Sequence, residues 1–155
     1  MADFEIAGVS YQSRLMDGET QMLVMRRMLP TFTALIGLKD SIGDTVVTDD
    51  SGAKQFDMAA LSTLVAPVSR ELAALSDADT KFVLDACMDV TTRRLATGPG
   101  WAAVRQKSII QDPDDAKFVT RLRIAWNVLI DNFRDMFASM GVDLNLLMGM
   151  RAAFG

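Results

Sequence analysis

Near the start of the chain, apolar Phe4, Ile6, Val9 and Tyr11 alternate with Glu5, Ser10 and Gln12, and Ala7-Gly8 separates the two runs. A period of two predicts strands, and a glycine that tolerates positive φ suits a tight turn, so residues 4–14 predict a β-hairpin. Two strands alone are marginal in water, so their apolar face needs a cover, and the helix that follows is the nearest candidate. There the period lengthens: Met22, Met25, Met28 and Leu29 recur at helical spacing behind Asp17, an N-cap residue, with Glu19 in the first turn and Arg26 and Arg27 suited to the last. Pro30 has no N–H and disfavours helical geometry at Leu29. It either kinks this helix or begins another; the reading favoured is a short second helix with Phe32, Leu35 and Ile36.

From Lys39 to Lys54 the chain turns polar, with Asp49-Asp50-Ser51-Gly52 as turn residues and Thr45–Thr48 as the one strand candidate, which predicts a loop or a small hairpin arm. Met58, Leu61, Val65, Val68, Leu72 and Leu75 then form a stripe at alternating spacings of three and four, interrupted by Pro67. It is too short for a coiled coil and predicts a kinked core helix. Ser76 and Asp79 resemble a capping box opening a helix with Phe82, Val83, Ala86, Cys87 and Val90 inward, which stops before Gly98-Pro99-Gly100. Trp101 to Ile110 fits no single period. Asp112-Pro113-Asp114-Asp115 supplies a cap, a proline and negative charge ahead of the longest stripe, Phe118, Leu122, Ala125, Leu129, Phe133, Met136 and Met140, widened by Trp126, Ile130 and Phe137. One helix from Asp115 to Met140 would span ~39 Å. Gly141 ends it, and Val142–Gly155 suits a short amphipathic helix with Asp143 as its cap. The expectation is a mainly α fold, a helical domain of about five or six helices with an N-terminal β-hairpin. It is read as a single domain over 1–155, with the hairpin at 4–14, a helical core at 17–140 and an apolar C-terminal tail at 142–155.

Composition narrows the chemistry. Half of the 155 residues are apolar and 23% are charged, a balance that supports one packed core and is far from the signature of disorder. The net charge is -4, with 9 basic and 14 acidic groups in residues 1–100 and 7 and 6 in the remainder, so neither part is a cationic nucleic-acid surface. No apolar run approaches the ~20 residues of a membrane span. The opening Met1-Ala2-Asp3-Phe4-Glu5 carries acids where a secretory signal carries positive charge, so the cytoplasm is the expected compartment.

There is no histidine, which removes the usual general base near neutral pH and the commonest metal ligand. The single Cys87 lies on an apolar helical face and reads as a structural thiol. Asp112-Pro113-Asp114-Asp115 begins like a calcium loop, but Ala116 and Lys117 stand where a ligand and the turn glycine are needed, so it reads as a helix cap. Ser51-Gly52-Ala53-Lys54 has the Ser-x-x-Lys spacing without its companion motifs and reads as a turn. Arg93, Arg94, Arg105, Lys107, Lys117, Arg121 and Arg123 surround Trp101, but in an acidic chain they read as solvated faces and salt-bridge partners. The expectation is no enzyme, no cofactor, no metal, no nucleic acid and no membrane.

What remains is adhesion. Eleven methionines supply adaptable apolar side chains, which serve as core filler or as a gripping surface. The candidate partner-binding residues are Met22, Met25 and Met28 on one short helix and Leu144, Leu147, Met148 and Phe154 in the apolar tail.

Two segments carry a family likeness. Phe4-Glu5-Ile6-Ala7-Gly8-Val9-Ser10-Tyr11, with Arg14 to Asp17 and Gln21-Met22-Leu23-Val24-Met25-Arg26-Arg27-Met28-Leu29-Pro30, resembles the start of tail assembly chaperones of long-tailed bacteriophages. Ala125-Trp126-Asn127-Val128-Leu129-Ile130-Asp131-Asn132-Phe133-Arg134-Asp135-Met136-Phe137 is similar to the aromatic-rich last helix of that family. The resemblance implies a homo-oligomeric protein of the bacterial host's cytoplasm, absent from the mature virion. Such a protein coats the tape measure protein, helps recruit the major tail tube protein around it, and is often accompanied by a frameshifted longer form. A virion structural protein, such as a tail completion or connector subunit, is the alternative.

Overall fold

The structure, a computed structural model, describes residues 1–38, 46–48, 54–56 and 58–142 together with Asn145; at 46–48, 54–56, 58–61, 64 and 65 the description is of the backbone alone. Strands β1 (Ala2–Ile6) and β2 (Val9–Ser13) pair antiparallel with Ile6 opposite Val9 and Phe4 opposite Tyr11. The two-residue turn holds Ala7 at φ 51° and Gly8 at φ 79°, the left-handed pair that matches the twist of a hairpin. Alternation puts Phe4, Ile6, Tyr11 and Ser13 on the buried face, where the Phe4 and Tyr11 rings stack at 5.6 Å.

Helix α1 (Gly18–Gly37) begins where expected: Asp17 accepts from the Thr20 N–H at 2.9 Å and from the Thr20 hydroxyl at 2.7 Å. The short second helix expected at Pro30 is absent, because α1 runs through that residue to Gly37. A proline inside a helix costs about 3 kcal/mol. Val24, Met28, Phe32 and Leu35, buried on one face across the proline, each return about 1.5–3 kcal/mol, so continuity wins. Pro30 itself is exposed.

Strands β3 (Val46–Thr48) and β4 (Lys54–Phe56) form the small hairpin arm. Helix α2 (Met58–Ala74) continues through Pro67. Helix α3 (Asp77–Asp89) opens on the Ser76 hydroxyl, which accepts from the Asp79 N–H at 3.1 Å and donates to the Asp79 carboxylate at 2.8 Å.

The helix read as continuing toward Gly98 stops at Asp89, and the chain enters β5 (Thr91–Arg94), followed by β6 (Trp101–Ala103). Ser13, Gln12 and Tyr11 pair with Thr91, Thr92 and Arg93, so the N-terminal hairpin is one half of an antiparallel sheet ordered β1-β2-β5-β6. β-Branched Thr91 and Thr92 suit a strand, and the open edge of β2 decides the matter. The cover of the sheet also differs from expectation: α5 packs on β1 and α3 on β5. Beyond β6, β7 (Arg105–Gln106) and β8 (Ile109–Ile110) make a tight hairpin turning at Lys107 and Ser108, both at positive φ.

The single long helix expected over 115–140 is three pieces: α4 (Pro113–Ala116), α5 (Phe118–Asn132) and α6 (Arg134–Ser139). At the first break Lys117 is extended, which frees α4 to turn Asp115 inward beneath β2. At the second, Phe133 leaves helical geometry and packs on Phe32 at 5.2 Å, while Phe32 meets Phe137 edge-on at 5.2 Å. Gly141, at φ 74°, ends α6 as expected. The final amphipathic segment lies outside the described residues apart from Val142 and Asn145.

Candidate functional site

Among the described residues, five helices contribute apolar faces that do not close on one another. Met28, Phe32, Leu35 and Leu38 come from α1 and its cap, and Val68, Leu72 and Leu75 from α2 and the residue after it. Val83 and Leu84 come from α3, Leu122, Ala125, Trp126, Leu129 and Ile130 from α5, and Phe137 from α6. They surround a groove of about 620 Å³ whose polar lining is Thr31, Ser69, Thr80 and Arg123. Its floor is core, but its mouth is greasy and wet: Leu72 is 47% exposed, Leu122 44% and Val119 56%, with Phe118 at 66% one residue further out. An apolar patch of this kind, continuous with a concavity, has the character of a surface on which another apolar surface can dock. Walls made of helical apolar side chains suit an amphipathic helix presenting residues at i, i+3, i+4 and i+7.

The walls are fixed by polar ties outside the groove. Arg27 of α1 reaches Asp79 of α3 at 2.8 Å and lies over the Phe82 ring at 4.0 Å. The Asn132 side-chain oxygen Oδ1 accepts from the Met16 N–H at 2.8 Å and from the Gln21 side-chain amide at 3.2 Å, which binds the entry of α1 to the end of α5. Asp85 on α3 gathers Arg105 at 3.2 Å, Arg121 at 3.3 Å and Lys81, and Arg105 also meets Asp89 at 2.6 Å.

A buried polar cluster locks the sheet to α4. Asp115, with no exposed surface, accepts from the Tyr11 hydroxyl at 2.7 Å and lies 3.3 Å from Arg93, which meets Asp112 at 2.6 Å. Burial pushes the Tyr11 phenol well above its ordinary value, and the bond to Asp115 and that residue's charge push it further. Burial also raises Asp115, against the opposing pull of Tyr11 and Arg93. These groups hold β2, β5 and α4 together. The aspartates once comparable to a calcium loop are thus a cap and a core tie, since Asp112 accepts from the Asp114 N–H at 2.9 Å. Among the described residues, no group of three or more acids and thiols is arranged to hold a metal ion. No helix there is long and apolar enough to cross a membrane. Cys87 is fully buried and its thiol is driven upward by that burial, the opposite of an activated nucleophile.

The residues singled out from the sequence are dispersed. Met28, 5% exposed, lies on the groove wall, whereas Met22, 61% exposed, and Met25 share an outer face of α1 with Leu29. Leu144, Leu147, Met148 and Phe154 lie outside the described residues. Sequence reasoning missed the mouth: Phe118 and Leu122 were assigned inward, and Val119 and Leu72 were not recognised as exposed. The available signal was the excess width of the α5 stripe, more than one neighbouring element can cover.

A family model described as phage tail assembly chaperone protein matches residues 7–143, from the β1–β2 turn to just past α6. No curated protein and no solved structure matches the chain. With β2, the described helices and the groove all inside the matched span, the chain belongs to the phage tail assembly chaperone family.

Proposed function

We propose that this chaperone binds the tape measure protein, keeps it soluble, and helps bring major tail tube subunits to it while the tail is built. The observation that carries this reading is the apolar groove between α1, α2, α3 and α5, open at Leu72, Val119 and Leu122. A tape measure chain is long, helical and apolar, and would aggregate through the stripes such a groove can cover. Many copies with individually weak grips give strong total binding along one long client, so the chaperone acts as a homo-oligomer or array, joined where it exists by a frameshifted longer form. The work is non-covalent: burial of apolar surface that is released when tube subunits take over. It is carried out in the cytoplasm of the host, and the chaperone leaves before the virion is complete.

Co-expression with the tape measure protein tests the reading. The client is expected to move from the pellet to the soluble fraction and to co-purify with the chaperone; an unchanged pellet with nothing co-purifying overturns it. Mass spectrometry of purified particles is expected to find no copy of the chain. Its stoichiometric presence would instead identify a structural subunit, such as a tail completion or connector protein.

A further inference from the structure

We propose that in the absence of a client the groove is occupied by the chain's own C-terminal segment, residues 143–155, which acts as an internal competitor for it. The proposal concerns what fills the groove at rest and stands whatever the identity of the client.

The direction of the chain at the end of α6 carries the case. Gly141 donates to the Ala138 carbonyl at 3.0 Å and Val142 donates to the Phe137 carbonyl at 3.0 Å, the paired bonds of a Schellman turn. Such a turn folds the chain back along the helix it has just left. It delivers Val142 to the core, 6% exposed, beside Phe137, and Phe137 lines the groove. The described chain thus ends its last helix at a buried residue bonded to the groove wall, with 13 residues still to place.

Their composition fits the destination. Leu144, Leu147 and Met148 share one face of any helix begun at Asp143, and Leu146, Met150 and Phe154 add apolar bulk, while Asp143 and Arg151 are the only charged side chains. As a helix the segment would be ~20 Å long. Exposed, it would add a second greasy surface to a molecule whose groove mouth already displays Leu72, Val119 and Leu122; folded back, each apolar surface covers the other. The covalent link raises the local concentration of the segment far above that of any free competitor, so a weak intrinsic fit suffices. A client must then outcompete it by offering more apolar surface, as a long helical chain does.

Trp126 lines the groove and the other tryptophan, Trp101, lies in β6, so Trp101→Phe leaves one fluorophore at the site. In that background, Leu144→Asp, Leu147→Asp and Met148→Asp made together in the full-length chain are expected to raise acrylamide quenching of Trp126 several-fold. A synthetic peptide with the native sequence of residues 143–155 is expected to restore protection to this variant. Persistent inertness of Cys87 to a thiol reagent certifies that the variant is folded, and a second variant cut after Val142 should behave like it. Equal quenching of Trp126 in the parent and in folded variants overturns the proposal. So does protection in the parent that disappears on dilution, which would place the segment of a second copy in the groove.

Discussion

Ala7 shows how one side chain sits against its backbone. It occupies φ 51° in a turn where both central residues must be left-handed, and Gly8 meets that demand while Ala7 resists it. Ala7→Gly is expected to stabilise the fold by up to about 1 kcal/mol, read as a higher urea midpoint with an unchanged slope, and Ala7→Val to lower that midpoint.

Tyr11 supplies a second reading at the same scale, made clean because the chain has one tyrosine. Its folded pKa lies above the value of about 10 for the unfolded chain. The stability it contributes is therefore complete below about pH 10 and is lost as pH rises through the folded value. Asp115 has the same sign: its pKa is raised, so its contribution is also lost with rising pH, from the ordinary carboxylate range upward. Tyrosinate absorbance is expected to appear on the alkaline side only together with loss of the circular dichroism signal. Titration of the phenol in a chain that stays folded would contradict this. Tyr11→Phe removes the alkaline dependence and costs about 1–3 kcal/mol at neutral pH by leaving Asp115 with one partner fewer.

Elements whose cause is local were legible in the sequence. The Ala7-Gly8 turn, the Asp17 and Ser76 caps and the Gly141 stop each follow from a few adjacent residues, and each is found where it was expected. Elements decided by distant partners were not. Thr92 becomes a strand residue because Gln12 presents an open edge across 80 positions of chain, which no local period records. The division between α4 and α5 exists because Asp115 turns to Tyr11, and the division at Phe133 because that ring meets Phe32. The groove was half legible for the same reason: the stripe from Phe118 to Phe137 announces apolar residues, but only the placement of α2 and α3 decides which of them remain wet. Pro30 tests the balance between local and distant causes. As an exposed residue inside α1 it weakens a helix that burial holds together, so Pro30→Ala is expected to stabilise the protein by up to about 3 kcal/mol, measured by thermal or urea unfolding. A loss of stability would mean that its restriction of the unfolded chain outweighs its effect on the helix.

For the whole molecule, a stable core and a groove that the described residues leave open are built from the same helices. Substitutions at the mouth should therefore separate holding the fold from holding a client. Leu72→Ser, Val119→Ser and Leu122→Ser, all at exposed positions, are expected to shift stability by about 0.5 kcal/mol or less each while strongly reducing co-purification of the tape measure protein. Phe32→Ala, in contact with Phe133 and Phe137, is expected to cost about 3–5 kcal/mol and to lose both functions together.

The pairing of β2 with β5, and the bond from Tyr11 to Asp115, have a consequence for synthesis on the ribosome. The first hairpin emerges early but cannot acquire its third strand until more than half of the chain has been made, and its buried phenol waits for α4. No N-terminal fragment ending at α2 holds a finished sheet or a walled groove. The nascent chain thus passes through an interval in which its own apolar surfaces are exposed, and the groove is walled only when the last third of the chain closes over the first.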